Sequence, residues 1–211
     1  MSQDDDQQML KILVVGGPRT GKTSIINKYA NNRCPKNYKV TVGVDCISKE
    51  TVVSGRKVEL YFWDISGQER YAHMTRHYFE NAQAAFIVFD VSDEEVTLEA
   101  AAAWKANVDL CFPDAPLPTI LLANKSDKIL DLKDVPYKRY DQFCEQNTIN
   151  KWFLTSATNG SNLDVSVDEL VKLIFESDQS LAPKPREGFK LTDPSAQPPS
   201  SATNEVKKTC C

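Results

Sequence analysis

The chain has 211 residues, 41% hydrophobic and 26% charged, which suits one globular domain of ordinary size with residues to spare. A formal net charge of −4 and a pI near 5.3 remove the attraction that loads basic proteins onto phosphate backbones, so no nucleic-acid partner is expected. The six cysteines form no C-x-x-C pair, the acidic start is unlike a basic secretory leader, and no apolar run reaches the roughly 18 residues of a membrane span, so free thiols and a cytoplasmic setting are expected.

Residues 1–8 read as a flexible acidic start and 9–176 as the folded body. The apolar run Leu10–Val15 predicts a buried strand, and Thr23–Ala30 the helix after it. Between them Gly16-Gly17-Pro18-Arg19-Thr20-Gly21-Lys22-Thr23 fits G-x-x-x-x-G-K-[ST], with Ser24 carrying the segment into the helix. Glycines let backbone N–H groups converge on phosphate oxygens, and a helix N-terminus adds partial positive charge. Lys22 is then the candidate to hold β- and γ-phosphates, and the Thr23 hydroxyl a candidate ligand of Mg²⁺. Farther on, Thr41 stands on a segment where a hydroxyl can complete the Mg²⁺ shell only while a γ-phosphate is present.

The strand-like runs Asp45–Val53 and Lys57–Asp64 flank Ser54-Gly55-Arg56 too closely for a crossover helix, which predicts an antiparallel hairpin. At its end, in Asp64-Ile65-Ser66-Gly67-Gln68, the carboxylate can hold Mg²⁺ through water, Gly67 can offer its N–H to a γ-phosphate, and Gln68 can orient an attacking water. A strand over Ala84–Val91, a helix over Glu94–Leu110 and a strand over Thr119–Ala123 follow. Asn124-Lys125-Ser126-Asp127 then lies at the carboxyl end of a strand, where open α/β sheets bind ligands. The Asp127 carboxylate can accept both the N1–H and the exocyclic amine of guanine, Lys125 can lay its methylenes over the ring, and Asn124 can brace the loop.

A helix over Pro136–Gln146 and a strand over Trp152–Thr155 lead to Ser156-Ala157-Thr158, where the Ala157 N–H can meet the guanine O6. Val167, Leu170, Val171 and Ile174 recur at helical spacing, with Asp164 or Ser166 as candidate N-caps. From residue 177 onward Pro183, Pro185, Pro194, Pro198 and Pro199 stand among small polar residues, a composition that predicts a flexible tail, 177–211, ending in Cys210-Cys211. Strand and helix alternate along the body. The expected fold is therefore α/β, a mostly parallel six-stranded sheet with one antiparallel edge hairpin and helices on both faces.

Taken together, the phosphate loop, Thr41-Val42-Gly43-Val44-Asp45, Trp63–Tyr71, Asn124–Asp127, Ser156–Thr158 and the terminal Cys-Cys resemble the Ras-superfamily small GTPases, and among them the Rab family. Met74-Thr75-Arg76, Leu121–Asp127, Asp141–Cys144 and Trp152-Phe153 further resemble the Rab branch associated with lysosome-related organelles. The resemblance implies a P-loop NTPase G domain working as a GTP/GDP switch in vesicle traffic, with Mg²⁺, catalytic Gln68 and Lys22, and metal ligands Thr23, Thr41 and Asp64. It implies effectors at the Thr41 and Gln68 regions, an exchange factor, a GTPase-activating protein supplying an arginine, and escort and GDP-dissociation-inhibitor-like partners. Geranylgeranylation of Cys210 and Cys211 follows from the same resemblance, two lipid chains being what stable anchoring to endomembranes needs.

Some positions depart from the family pattern. Cys34 stands where most Rabs carry an aromatic edging the guanine, which predicts faster GDP loss; Cys46 replaces a phenylalanine, leaving Trp63 and Tyr78 as the effector-facing aromatics; Ser66 replaces an alanine, and Pro18 removes an N–H from the phosphate loop. Ser66 and Pro18 alone support an alternative, a module that holds GTP with negligible hydrolysis. A P-loop kinase would need an adenine pocket, and Asn124–Asp127 argues against one.

Overall fold

The computed structural model describes residues 8–34, 40–67 and 77–177. Its sheet has six strands: β1 (Gln8–Val15), β2 (Val44–Val53), β3 (Arg56–Ile65), β4 (Ala84–Asp90), β5 (Thr119–Asn124) and β6 (Lys151–Leu154). In space they run β2-β3-β1-β4-β5-β6. Only the β2–β3 pair is antiparallel. The hairpin closes through a two-residue turn, with Val53 opposite Arg56 and positive φ at both Ser54 (51°) and Gly55 (77°). That backbone matches the twist of the flanking strands.

Side-chain alternation along β1 divides the core in two. Leu10, Ile12 and Val14 join Phe86, Val88, Ile120 and Leu122 under the helices α1 (Lys22–Asn31) and α4 (Leu163–Ser177). Leu13 and Val15 join Ala85, Ile87, Phe89, Leu121 and Ala123 under α2 (Glu94–Cys111) and α3 (Tyr137–Gln146). Because both faces are covered, every residue of β4 and β5 is buried, whereas the edge strand β2 is largely exposed or half-buried. The alanine run of α2 lets that helix approach the sheet closely, and Ala101 is fully buried there. Cys144 fills the core beneath α3, where burial and then Asp141 push its thiol up to about 12.

The last helix corrects the sequence reading of its start. It begins at Leu163, so neither Asp164 nor Ser166 is an N-cap; Ser166 Oγ instead donates back to the Leu163 carbonyl at 2.8 Å. Leu163 is 3% exposed and belongs to the core cluster, so packing draws the helix back to include it. Helix α4 also runs through Ser177, and β1 starts at Gln8, one residue beyond each expected limit of the body.

Candidate functional site

Strand β1 hands the chain to α1 on one face, while its neighbour β4 hands it to α2 on the other. Loops leaving adjacent parallel strands thus diverge and open a crevice at the carboxyl edge of the sheet. The phosphate-loop motif lines it. Gly16 has φ 145°, and a Cβ built there would lie 2.1 Å from the Val88 carbonyl oxygen of β4. Only glycine allows that approach. Arg19 takes a left-handed backbone, φ 62°, while the buried Thr20 donates its hydroxyl to the Gly17 carbonyl at 3.0 Å.

Gly21, φ 98°, caps α1 without a side chain, and the first α-helical bond runs from the Ile25 N–H to the Gly21 carbonyl at 2.9 Å. The amides of Lys22, Thr23 and Ser24 therefore stand in the opening turn, where helices receive anions. Lys22 is buried, and its ammonium donates to the carbonyls of Gly16 (3.0 Å) and Gly17 (2.9 Å). Burial pulls its pKa down to about 8, while Asp64 pulls the other way. A cation held in the loop without full hydration is a ready partner for phosphate oxygens.

Three oxygens from separate elements meet beside it. Thr23 Oγ1 donates to Asp64 Oδ2 at 2.5 Å and lies 3.1 Å from Thr41 Oγ1, which is itself 3.4 Å from Asp64 Oδ2. Asp64 is 1% exposed, and its Oδ1 has no hydrogen-bond partner among the described residues. Burial raises its pKa against the opposing hydroxyls and Lys22. A set of hydroxyls and one carboxylate, with a buried oxygen left over, fits a hard divalent cation such as Mg²⁺, which binds oxygen donors and keeps several waters.

Gly67 closes the same corner, a Cβ there being 2.6 Å from Gly17 C and Pro18 N. The Ser66 N–H donates to the Gly43 carbonyl at 2.9 Å, which ties the end of β3 to the Thr41 segment.

Asn124 joins three loops. Its Nδ2 donates to the Thr20 carbonyl at 2.8 Å, and its Oδ1 accepts the Ala157 N–H at 3.2 Å. These bonds link the three loops and engage the amide expected to face guanine O6, so an O6 contact requires the Ala157 bond to be shared or released. Asp127 is exposed, with Oδ1 accepting from Ser156 Oγ at 2.5 Å and Oδ2 from Thr158 Oγ1 at 3.4 Å. Each carboxylate oxygen has two lone pairs, so these bonds aim the group while leaving acceptor capacity.

Sequence reasoning missed Asp90, the last residue of β4, which takes the Lys125 ammonium at 2.5 Å. Only the folded register brings it opposite Asn124, both residues ending neighbouring strands at the same edge. Against the burial that would raise it, hydrogen bonds from Lys125 and Ser92 hold the Asp90 carboxyl below its ordinary value.

Trp63 and Tyr78 do meet, ring centroids 6.5 Å apart, with the Lys11 ammonium 3.7 Å from the Trp63 centroid. Cys34 and Cys46 are exposed. Gln68, Arg70, Met74-Thr75-Arg76, Cys210 and Cys211 lie outside the described residues.

Residues 11–176 match the Ras family. The chain is 46% identical over 207 residues to the Ras-related protein Rab-32C of Dictyostelium discoideum, covering 98% of this chain and 90% of that protein. It is 39% identical over 178 residues to human Ras-related protein Rab-32, covering 82% and 78%. Rat Ras-related protein Rab-7L1 is 38% identical over 173 residues, with 80% and 83% covered. Its strand-end loops and these likenesses agree: the chain belongs to the Ras family as a Rab small GTPase of the branch that holds Rab-32 and Rab-7L1, a GTP-binding switch that hydrolyses GTP.

Proposed function

We propose that this chain binds GTP and GDP with Mg²⁺ in the crevice between β1, β4 and β5, and that the Thr41 and Gln68 segments report which nucleotide is bound. The observation that carries this reading is the meeting of the Thr23, Thr41 and Asp64 oxygens within 3.4 Å of one another. In it, residues Gly16 to Ser24 wrap the phosphates through backbone amides, with Lys22 on the β- and γ-phosphates. Bound Mg²⁺ would neutralise charge shared by those phosphates, held by Thr23, Thr41 and Asp64. Asp127 reads the guanine edge, Ser156 and Thr158 aim its carboxylate, Asn124 braces the loops, and the Ala157 N–H, shared with or released from Asn124 Oδ1, meets O6.

For hydrolysis, Gln68 orients a water for in-line attack on the γ-phosphorus; the bond to the bridging oxygen of GDP breaks, and Lys22 and the loop amides stabilise the charge that develops. A partner supplies the arginine that speeds this step. Thr41, on a segment tied to Gly67 through the Ser66–Gly43 bond, couples loss of the γ-phosphate to the surface offered to effectors. The remaining assignments are the segment after Ser177 as tether, prenylation of Cys210 and Cys211, handling by exchange factor, escort and GDP-dissociation-inhibitor-like proteins, and action on the cytosolic face of endosomes or lysosome-related organelles in vesicle traffic. A module that only holds GTP is not favoured, since its relatives belong to a hydrolase family.

Release of mant-GDP from purified protein tests the site. Thr23→Ala is expected to speed release about tenfold in Mg²⁺, and to match wild type once EDTA removes the metal. Equal release in Mg²⁺ would remove Thr23 from the metal, and equal affinity for GDP and ADP would overturn the guanine reading.

A further inference from the structure

Asp90 ends β4 beside Asn124, and its carboxylate is used on both oxygens. Oδ2 accepts the Lys125 ammonium at 2.5 Å, while Oδ1 accepts the Ser92 N–H at 2.9 Å and the Ser92 hydroxyl at 2.7 Å. Ser92 Oγ in turn accepts Lys128 Nζ at 3.1 Å, so the turn after β4 and the turn after β5 are clasped at two points. Thr97 Oγ1 accepts the Asp90 N–H at 3.0 Å and lies 2.7 Å from the Asp93 carbonyl oxygen, fixing the backbone that carries the carboxylate. Asp90 is 6% exposed. This pair is therefore unlike a solvated surface bridge, where two long side chains wander and the net gain is small.

Lys125 is a residue with left-handed backbone (φ 68°) whose four-carbon stem leaves the N-K-x-D loop and ends on Asp90. A free lysine side chain is rich in rotamers, and a ligand that stacks on it must order it on binding. Anchoring the ammonium orders the stem beforehand.

We propose that Asp90, oriented by Ser92, is a positioning residue that sets how long the nucleotide stays bound: it pins the Lys125 ammonium so that the methylene stem is a preformed shelf for the base. The inference deepens the guanine-nucleotide reading and rests on it. It makes two demands. Asp90 acts through Lys125, so its effect vanishes when the lysine has no charge to pin. It acts on the face of the base and not on the edge read by Asp127, so it changes residence time without changing the preference for guanine over hypoxanthine.

The test is release of mant-GDP from the full chain in Mg²⁺. Asp90→Asn preserves shape and an acceptor for Ser92 but removes the charge facing Lys125; release is expected about tenfold faster, with the GDP-to-IDP affinity ratio unchanged. In a Lys125→Met background, adding Asp90→Asn is expected to change release less than about twofold. Ser92→Ala, which leaves the ion pair in place, is expected to speed release about threefold and serves alone should Asp90→Asn fail to fold. Release equal to wild type in whichever variants fold, or an Asp90→Asn effect of full size in the Lys125→Met background, overturns the positioning role alone. A wild-type chain that fails to retain mant-GDP overturns the nucleotide reading and this inference with it.

Discussion

At Gly67 one missing carbon decides how closely the turn after β3 can approach the phosphate-loop motif. A Cβ added there would lie 2.6 Å from Gly17 C and Pro18 N and 2.7 Å from Gly17 O, all backbone atoms that cannot swing aside. Gly67→Ala must therefore lift the turn away from the phosphate loop. GDP has no γ-phosphate for Gly67 to meet, so mant-GDP release is expected to stay within about threefold of wild type. Single-turnover phosphate release from GTP is expected to fall by about a hundredfold, the size of loss a displacement near 1 Å can cause. Equal phosphate release would mean that the turn retreats freely and that its approach to the loop is incidental to hydrolysis. Such residues were legible in the sequence because glycine, lysine and threonine at fixed spacing have few other uses. Asp90 was not, since an aspartate after a buried strand is common for turn reasons alone and its partner is 35 residues away in the chain.

Helix α4 shows what periodicity delivers and where it stops. Spacing identified Val167, Leu170, Val171 and Ile174 as one buried face, and all four are 3% exposed or less. Leu170→Ala is expected to cost about 3 kcal/mol, lost transfer energy plus a cavity that α1 and the sheet cannot fill. Lys172→Ala, on the exposed side of the same helix, is expected to stay within about 0.5 kcal/mol. Urea unfolding of the GDP-bound proteins compares them; similar losses would mean that the helix lies differently on the sheet. The start of α4 was misread because capping rules see only neighbours in sequence, whereas the first turn is fixed by Leu163 entering the core and by Asn162 Nδ2 reaching the Leu154 carbonyl at 2.7 Å. The hairpin was read correctly for the opposite reason: a two-residue turn leaves tertiary context little to decide.

Across the whole molecule, the crevice concentrates groups that folding alone leaves poorly compensated. Lys22 is buried with its pKa pulled down to about 8 by desolvation, and Asp64 is buried with its carboxyl pushed up and one oxygen without a protein partner. Burial of a charged group is costly unless it is paired, so the folded chain holds unfavourable energy at one edge of its sheet. Phosphates and a divalent cation would offset that cost by giving both groups a counter-charge. They would also tie together loops that leave β1, β3, β5 and β6, the helices after β1 and β6 covering one face of the core and the helix after β5 the other. Stability should therefore be linked to ligand over the entire domain. With free Mg²⁺–GDP at a thousand times its dissociation constant, the linkage contributes about 4 kcal/mol, which for a body of this size raises the melting temperature by roughly 10 °C. Differential scanning fluorimetry should show that rise as one cooperative transition, lost when EDTA removes the metal and nearly absent with ADP, because adenine cannot satisfy the acceptors of Asp127. An equal rise with ADP would mean that the phosphates are recognised without the base. Two separated transitions would mean that ligand steadies the crevice while the two halves of the core unfold independently, and the sheet would then be a support for the loops without being their energetic partner.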